Sequence, residues 1–326
     1  MPQKFRRIIV SRTDHIGDVV LSLPVFASLK KCFPGSQIVA LVSDYTADVV
    51  RSSPYVDEVI TYSAGESIFS TVQKFKNAKL DAILFLFPRF RLSAAAYLAG
   101  IPIKVGTAYR WYSFLFNRKV HEHRKTSKKN EAEYNIALAD ILGCKKKSFD
   151  MTLKLNADAV ARVKMFLEEN NLGKFIVVHP GSSGSAFEWG ADKFRKLVES
   201  IPADLQEEVI VTGTAPEHSL CEAISKGILR ATNTAGKFSL LEFIALLSEA
   251  DAFISNSTGP IHLAAAVGTP VIGIYPNKEP MTPIRWAPLT DRKVILTPND
   301  GSDNLALITI NDVIESTRKF ISVNSR

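Results

Sequence analysis

The sequence feature that most constrains the fold is residues 252–276, which read AFISNSTGPIHLAAAVGTPVIGIYP. Residues 252–255 are apolar on both faces, as expected of a central parallel strand that is covered on both sides. A polar turn with cap chemistry follows, and a proline suits the first position of an Ala-rich helix that ends at a glycine. Residues 271–275 form a second apolar strand. The segment therefore predicts a β-α-β unit in a parallel sheet.

The start of this helix is a candidate anion-binding site. Its free N–H groups lie at the carboxyl end of a parallel strand, where open α/β sheets bind ligands. The small residues Ser257, Thr258 and Gly259 let a phosphate approach the backbone, and His262 adds a donor in the first turn. A well-capped helix without a ligand explains the turn equally well by itself, because caps are far commoner than ligand sites.

Strand and helix patterns alternate through both halves of the 326-residue chain, which predicts about two domains, each with a parallel sheet. A change in composition at residues 145–156 places the boundary between domains 1–150 and 151–326. The final helix, residues 310–321, belongs to the second domain, with packing back on the first as the alternative. Pro24 interrupts the helical pattern of residues 18–32 and predicts a kink or a short first turn.

Composition excludes several classes of protein. The hydrophobic content is 46% and the charged content 22%, with no apolar run near the roughly 18 residues of a membrane span. Residues 1–12 lead directly into a strand without a secretory signal, so we expect a cytoplasmic protein. The three scattered cysteines, Cys32, Cys144 and Cys221, are then expected to be reduced thiols.

The net charge of +7 is concentrated in residues 118–129 (RKVHEHRKTSKK) and in Lys145–Lys147. Such clusters serve solubility, anionic lipids, acidic sugars or nucleic acid. Nucleic acid is the least favoured, because no aromatic stacking platform is interleaved with the cations. A G-x-G-x-x-G segment does not follow the first strand, which argues against an NAD-linked dehydrogenase. The sequence also has no D-x-D triplet and no His/Cys cluster at metal-ligand spacing.

A second polar segment, residues 11–24 (SRTDHIGDVVLSLP), follows the first predicted strand at the carboxyl edge of the N-terminal sheet. Asp18 opens a helix there, and a simple capping role, worth about 1 kcal/mol, explains it adequately by itself. Asp14 and His15 are near enough to compete with it for a role in catalysis. Residues 179–189 (HPGSSGSAFEW) form a loop that offers N–H groups and hydroxyls to a diphosphate, although an ordinary turn is the default interpretation.

Five segments, taken together and in order, resemble motifs of the bacterial heptosyltransferases, the ADP-heptose:lipopolysaccharide glycosyltransferases of family 9. These segments are Gly-Asp…Leu-Pro at 17–24, His-Pro-Gly…Trp at 179–189, Gly-Lys-Phe-Ser-Leu-Leu-Glu at 236–242, Asn-Ser-Thr-Gly-Pro-Ile-His at 256–262 and Arg-Trp-Ala-Pro at 285–288. Between residues 105 and 144 only the basic character and the helix start at 131–134 match. Ser257 stands where most members have Asp, and Phe187 stands where they have Lys. Lys237, Lys278 and Arg285 are candidates to supply the missing charge.

The resemblance implies an α/β protein of the GT-B class, with two facing Rossmann-like domains and parallel sheets. It implies an inverting, metal-independent transfer of heptose from ADP-heptose to a lipopolysaccharide inner-core acceptor. No cofactor is implied, and the partners are a nucleotide sugar and an anionic glycolipid at the inner membrane, where the enzyme associates peripherally. A related GT-B enzyme with another nucleotide sugar, a transferase or an epimerase, is one alternative. A member that only binds ligands is the other.

The resemblance assigns a role to individual residues. Asp18 matches the catalytic base, although a carboxylate at a helix N-terminus is stabilised as the anion unless burial opposes that effect. Glu217 matches a carboxylate that accepts from ribose hydroxyls, and Phe238 lies by the adenine. The residues assigned to donor binding are Ser182, Ser183, Thr212, Gly213, Glu217, Lys237, Phe238, Asn256, Ser257, Thr258, Gly259 and His262. The candidate acceptor-binding residues are Arg12, Asp14, Arg89, Arg110 and Lys128.

Overall fold

The computed structural model of the protein describes residues 5–182, 184 and 186–321. Contacts between residues divide the chain into two compact units, Met1–Lys154 and Leu155–Arg326. Each unit contains one six-stranded sheet. Every strand pair in both sheets is parallel.

The first sheet has the strand order β3-β2-β1-β4-β5-β6. Its strands are β1 (Arg7–Ser11), β2 (Gln37–Val42), β3 (Glu58–Thr61), β4 (Ala82–Phe85), β5 (Ile103–Thr107) and β6 (Arg118–Val120). The helices of this unit are α1 (Ile16–Val20), α2 (Leu23–Cys32), α3 (Ala47–Arg51), α4 (Ile68–Ala78), α5 (Phe90–Leu98) and α6 (Glu131–Asp140). Strand β1 is the point at which the strand order reverses, so a ligand crevice is expected beyond its carboxyl end.

The loop after β1 is fixed to both neighbouring strands. Strand β1 is apolar on both faces, and Ile8, Ile9 and Val10 have no solvent exposure. The Arg12 N–H donates to the Leu41 carbonyl at 2.9 Å, and the Leu86 N–H donates to the Ser11 carbonyl at 3.0 Å. The residues that follow β1 therefore hold a defined position at the edge of the sheet.

The predicted interruption of the helix at residues 18–32 is confirmed. Helix α1 ends at Val20, and α2 begins at Leu23 with Pro24 in its first turn. A proline in the first turn lacks only an N–H that would have no partner within the helix. The Ser22 hydroxyl donates to the Val19 carbonyl at 2.6 Å and closes the turn between the two helices.

The second sheet has the order β12-β11-β10-β7-β8-β9, with the reversal at β7. Its strands are β7 (Phe175–His179), β8 (Glu208–Val211), β9 (Ala231–Asn233), β10 (Ala252–Asn256), β11 (Val271–Ile274) and β12 (Lys293–Leu296). The helices of this unit are α7 (Ala157–Glu169), α8 (Ala191–Leu205), α9 (His218–Ser225), α10 (Leu240–Glu249), α11 (Gly259–Ala266), α12 (Pro283–Trp286) and α13 (Ile310–Ile321).

The β-α-β unit predicted for residues 252–276 is confirmed as β10, α11 and β11. Strand β10 pairs with β11 on one side and β7 on the other, and all of its residues are buried. The short strands β6, β9 and β12 lie at the sheet edges, and their residues are half-buried or exposed rather than fully buried. The final helix α13 packs on α8, and its Val313 and Ile314 join the core of the second unit.

The prediction that all cysteines are reduced is wrong for one pair. Cys32 and Cys144 form a disulfide, while Cys221 is free and buried. Helix α2 packs on α6, and this contact brings Cα atoms that are 112 residues apart in sequence to 5.4 Å. Sequence spacing could not show this proximity. Among the helices that the structure describes, none combines the length and apolar content of a membrane-spanning segment.

Candidate active site

The candidate site of the first unit is a charged cluster after β1. The Arg12 side chain is 3% exposed, and its guanidinium forms ion pairs with Asp18, with Asp14 at 2.7 Å and with Glu131 at 3.0 Å. Asp18 lies in the first turn of α1, and its side chain is 15% exposed. Arg12, predicted to bind an acceptor, thus has its guanidinium bound by carboxylates of the protein itself.

Helix α6 supplies the other side of this cluster. Glu131, its first residue, is 1% exposed and accepts from both Arg12 and Arg124, the latter at 2.5 Å. One turn later, the Asn135 side-chain oxygen accepts from the same two guanidinium groups at 3.2 Å. The Asn135 amide donates to the Leu21 carbonyl, just after α1. Glu131 and Asn135 therefore hold Arg12 against Asp18, a role that sequence reasoning missed.

The environment of Asp18 differs from that of a helix cap. The N-cap residue of α1 is His15, whose side chain makes no capping hydrogen bond, and Asp18 is the third residue of the helix. Burial raises the pKa of Asp18; Arg12 opposes this shift, and the negative charges of Asp14 and Glu131 reinforce it. A carboxylate with a raised pKa is a stronger base, which suits proton abstraction.

Of the other predicted acceptor-binding residues, Asp14 and Arg89 lie in or beside the charged cluster, whereas Arg110 and Lys128 lie near β6. Arg89 donates to the Thr13 hydroxyl at 3.0 Å and to the Thr13 carbonyl at 3.1 Å, which places it next to Asp14. The exposed Tyr45 donates its hydroxyl to the Asp14 carbonyl at 2.6 Å. Arg110 and Lys128 are exposed on the segments before and after β6. The structure therefore groups Arg12, Asp14 and Arg89 with Asp18.

A separate candidate site in the second unit is the start of α11, at the carboxyl end of β10. Thr258 is the N-cap residue, but its side chain makes no capping hydrogen bond. Within the part of the chain that the structure describes, the buried Thr258 Oγ1 and His262 Nδ1 have no hydrogen-bond partner. Burial lowers the pKa of His262 to about 3, so its imidazole is neutral at physiological pH. Both groups are thus available to a ligand at this helix terminus.

The side chains of Asn256 and Ser257, just before α11, make hydrogen bonds to other residues of the protein. The side chain of the fully buried Asn256 accepts from the backbone N–H of Trp189 at 3.1 Å and donates to the Pro180 carbonyl at 2.8 Å. It thereby ties the loop after β7 to β10. Ser257 hydrogen-bonds to the phenol of Tyr275.

Residues after β7 and β8 meet beside Glu217. The Glu217 carboxylate accepts from the Thr214 N–H at 2.7 Å and closes a capping box. A Cβ atom at Gly181 would lie only 2.1 Å from Glu217 Oε1 and one at Gly213 3.3 Å from Oε2, so this approach depends on glycines. Thr212 Oγ1 lies 3.0 Å from His179 Nδ1. Burial lowers the pKa of His179 to about 4, although the negative charge of Glu217 acts to raise it.

The loop after β7 shows where the missing lysine charge can come from. Lys278 Nζ lies 5.7 Å from the centroid of the Phe187 ring. In contrast, Lys237 lies over Phe166 and Arg285 over Trp286. Of the three candidates, Lys278 is therefore the one beside position 187. In the same loop, Ser182 donates to Glu188 at 2.7 Å. Ser183, predicted to bind the donor, lies outside the described residues.

A cavity of about 280 Å³ lies between α7 and the start of α10. Its lining residues are Arg162, Met165, Phe166, Glu169, Lys237, Phe238 and Glu242. The Phe166 and Phe238 rings meet edge to face, with centroids 5.1 Å apart. Two predicted donor-binding residues, Lys237 and Phe238, thus line a cleft with an aromatic wall and a charged rim. Among the described residues, no group of three or more His, Cys, Asp or Glu side chains could hold a metal ion.

Comparisons with known proteins identify relatives along nearly the whole chain. A model of glycosyltransferase family 9 (heptosyltransferase) matches residues 68–305. A Haemophilus influenzae protein inferred to be a glycosyltransferase is 31% identical, over 97% of this chain and 96% of its own length. Lipopolysaccharide heptosyltransferase 3 of Escherichia coli is 25% identical, over 85% of each chain.

Solved structures share the fold. A family 9 glycosyltransferase of Veillonella parvula superposes with a TM-score of 0.87 and 20% identity, covering 99% of both chains. The E. coli ADP-heptose lipopolysaccharide heptosyltransferase II superposes with a TM-score of 0.82 and 20% identity, covering 98% of this chain and 100% of its own. The predicted α/β GT-B fold class and the resemblance noted from the motifs are confirmed. The chain belongs to glycosyltransferase family 9, the heptosyltransferase family, and is a glycosyltransferase.

Proposed function

We propose that the protein transfers a heptose, with inversion, from ADP-heptose to a sugar of the lipopolysaccharide inner core. The observation that carries the proposal is the start of α11, where Thr258 and His262 present buried polar atoms without partners among the described residues. A buried polar group without a hydrogen bond costs about 1–3 kcal/mol, so a ligand that supplies the bond binds favourably. A helix N-terminus selects an anionic ligand, such as a diphosphate.

The other predicted donor residues fit a nucleotide attached to that diphosphate. Glu217 offers carboxylate oxygens that can accept from ribose hydroxyls. The cavity beside Phe166 and Phe238 offers aromatic surface to a base. Adenine as that base, and heptose as the sugar, rest on family membership and on the ADP-heptose named for the E. coli structural relative.

The proposed reaction is a single displacement. Asp18 takes the proton from an acceptor hydroxyl while that oxygen attacks the anomeric carbon of the donor sugar. The bond between that carbon and the diphosphate oxygen breaks, and ADP leaves from the opposite face, so the configuration inverts. The N-terminus of α11 and Lys278 stabilise the charge that develops on the diphosphate. The donor is already activated by its diphosphate, so the proposal includes neither a cofactor nor a metal ion.

The proposed acceptor is an anionic glycolipid at the cytoplasmic face of the inner membrane. Arg89, which donates to Thr13 beside Asp14, is an exposed cation next to the charged cluster and is the proposed contact for an acidic sugar or phosphate. A second candidate function, transfer from a different nucleotide sugar, is favoured by the departures from the family pattern at Ser257 and Phe187. Both of these residues lie in the loops that would surround the donor.

The test of the proposal is product analysis with a panel of ADP-, UDP- and GDP-linked sugars, accompanied by calorimetric titration of ADP, UDP and GDP. We expect ADP to bind at least about tenfold more tightly than the other two nucleotides, and heptose to appear on an inner-core acceptor. Transfer from a UDP- or GDP-linked sugar alone would identify the second candidate function instead. Binding of ADP without transfer from any donor would indicate a member that only binds ligands.

We expect Thr258→Val to weaken ADP binding about tenfold, because the ligand loses one hydrogen bond to a charged oxygen. Valine keeps the shape of the side chain, so the fold should not change. Thr309→Val is the matched control, since the exposed Thr309 hydroxyl hydrogen-bonds only to Asp312 at the start of α13. Isothermal calorimetry measures both variants. Equal ADP affinities for the two variants would contradict a diphosphate at α11.

We expect Lys278→Ala to weaken binding of ADP about tenfold and binding of AMP much less, since AMP lacks the second phosphate. Lys164→Ala, an exposed lysine of α7, is the matched control and should bind both nucleotides as the wild type does. Lys237→Ala and Arg285→Ala test the two other candidates for the missing charge. If either of these lost ADP binding selectively while Lys278→Ala did not, Lys278 would not be the compensating residue.

A further inference from the structure

A long segment of the first unit contains cations and no acidic residues. Residues 82–121 include six Lys or Arg and no Asp or Glu. Lys104 is buried, and the other five cations are exposed, at positions 89, 91, 110, 118 and 119. This segment forms β4, α5, β5 and β6, and it therefore presents an electropositive surface over one edge of the sheet.

Large aromatic side chains are exposed within this same segment. Trp111 is 74% exposed, Phe114 69% and Phe90 45%. The rings of Phe90 and Trp111 lie 4.8 Å apart, and both contact the buried ring of Tyr112, whose hydroxyl donates to the Pro88 carbonyl at 2.7 Å. Contact with a fixed, buried ring orients Phe90 and Trp111. We call Phe90, Trp111 and Phe114 the aromatic face.

The aromatic face continues along α5. Tyr97 and Leu98 follow Phe90 by seven and eight residues, which places them on the same side of the helix. They are 58% and 57% exposed. Exposed Trp, Phe and Leu side chains flanked by cations are typical of a surface that enters the headgroup region of a bilayer, and Trp and Tyr are enriched there.

We infer that the aromatic face and its surrounding cations dock the first unit on an anionic lipid bilayer. Each Lys or Arg near an anionic surface contributes about 1 kcal/mol of attraction, and the aromatic rings add burial in the interface. A second copy of the chain is a poorer occupant. A twofold symmetric contact would place this cationic segment against itself, with no acidic residue in it to compensate.

The docking surface adjoins the charged cluster that holds Asp18. Arg89 immediately precedes Phe90, and its guanidinium donates to Thr13, the neighbour of Asp14. A bilayer in contact with the aromatic face would therefore bring the headgroup sugars of a lipid close to Asp18. This last consequence rests on the proposed function, whereas the docking itself does not.

The experiment is sedimentation of the full chain with phosphatidylcholine vesicles that contain either no phosphatidylglycerol or about one third of it. We expect binding only to the anionic vesicles, and we expect Trp111→Ser combined with Phe114→Ser to weaken it at least tenfold. Leu229→Ser combined with Leu307→Ser is the matched control, because these residues are 85% and 45% exposed in the second unit. The control variant should bind as the wild type does. Urea unfolding should show the same midpoint for all three proteins, since the changed side chains are exposed.

Three results would overturn the inference. These are equal vesicle binding by the Trp111/Phe114 variant and the wild type, binding of the wild type without preference for anionic vesicles, and self-association of the wild type that this variant abolishes. Measuring sugar transfer to a lipid-free acceptor fragment distinguishes a failure of membrane docking from a failure of the proposed function. The variant should retain that transfer, and it should lose rate only when the acceptor is embedded in vesicles. Absence of transfer by every protein, with vesicle binding as expected, would reject only the proposed function.

Discussion

Replacing Asp18 with Asn is expected to lower kcat for sugar transfer by about 10²–10⁴-fold, the usual contribution of a general base. The change keeps the size of the side chain and a hydrogen bond to Arg12, but it removes the proton acceptor. The affinity for ADP should stay within about twofold of the wild-type value, because the donor site lies in other residues. Steady-state kinetics and calorimetry measure the two quantities separately.

Asp14→Asn is the matched control for this prediction. Asp14 accepts from the same guanidinium as Asp18 at 2.7 Å, so its replacement disturbs the same cluster by one charge. We expect it to raise KM for the acceptor and to lower kcat no more than about tenfold. If Asp14→Asn lost as much kcat as Asp18→Asn, or if Asp18→Asn retained wild-type turnover, Asp18 would not be the base.

Replacing Glu131 with Gln is expected to destabilise the protein by about 3 kcal/mol, since Arg12 and Arg124 lose a buried carboxylate partner. Glu131 is 1% exposed, so water cannot reach this position to solvate the two guanidinium groups in place of the carboxylate. Urea unfolding measures this loss. Glu122→Gln is the control, because Glu122 pairs with Lys129 nearer the surface, where such pairs contribute less than about 1 kcal/mol.

The same variant should change the pH dependence of turnover, which a purely structural role would not do. The charged groups around Asp18 are Arg12, Asp14, Glu131 and His15. Removing the negative charge of Glu131 leaves Arg12 with fewer partners, so the pKa of Asp18 should fall. The acid limb of kcat/KM, where activity is lost as Asp18 takes up a proton, should move to lower pH. An unchanged acid limb would mean that Glu131 does not influence the base.

The central elements of the fold were readable from the sequence, because their side chains carry the information locally. Strand β10 is apolar on both faces, and the polar turn and proline after it mark the start of α11. The edge strands β6, β9 and β12 were not predicted, because β6 and β9 are three residues long with one apolar residue each, and β12 has a run of only three apolar residues. Their positions depend on the neighbouring strand to which they pair.

The candidate site was predictable only where its residues lie within a motif. Asp18, Thr258 and His262 stand in short segments with recognisable spacing, and their roles stay predictions. The contact between Arg12 and Glu131 joins residues 119 positions apart, so nothing local indicated it. The disulfide between Cys32 and Cys144 was hidden for the same reason, and the approach of Lys278 to Phe187 also needed the folded chain.

The most direct test of the account is a crystal structure of the Asp18→Asn variant with ADP-heptose, in which the slowed reaction preserves the donor. We expect the diphosphate to lie at the N-terminus of α11, with an oxygen at hydrogen-bonding distance from Thr258 Oγ1 and from His262. A diphosphate bound elsewhere, with Thr258 and His262 still without a partner, would contradict it.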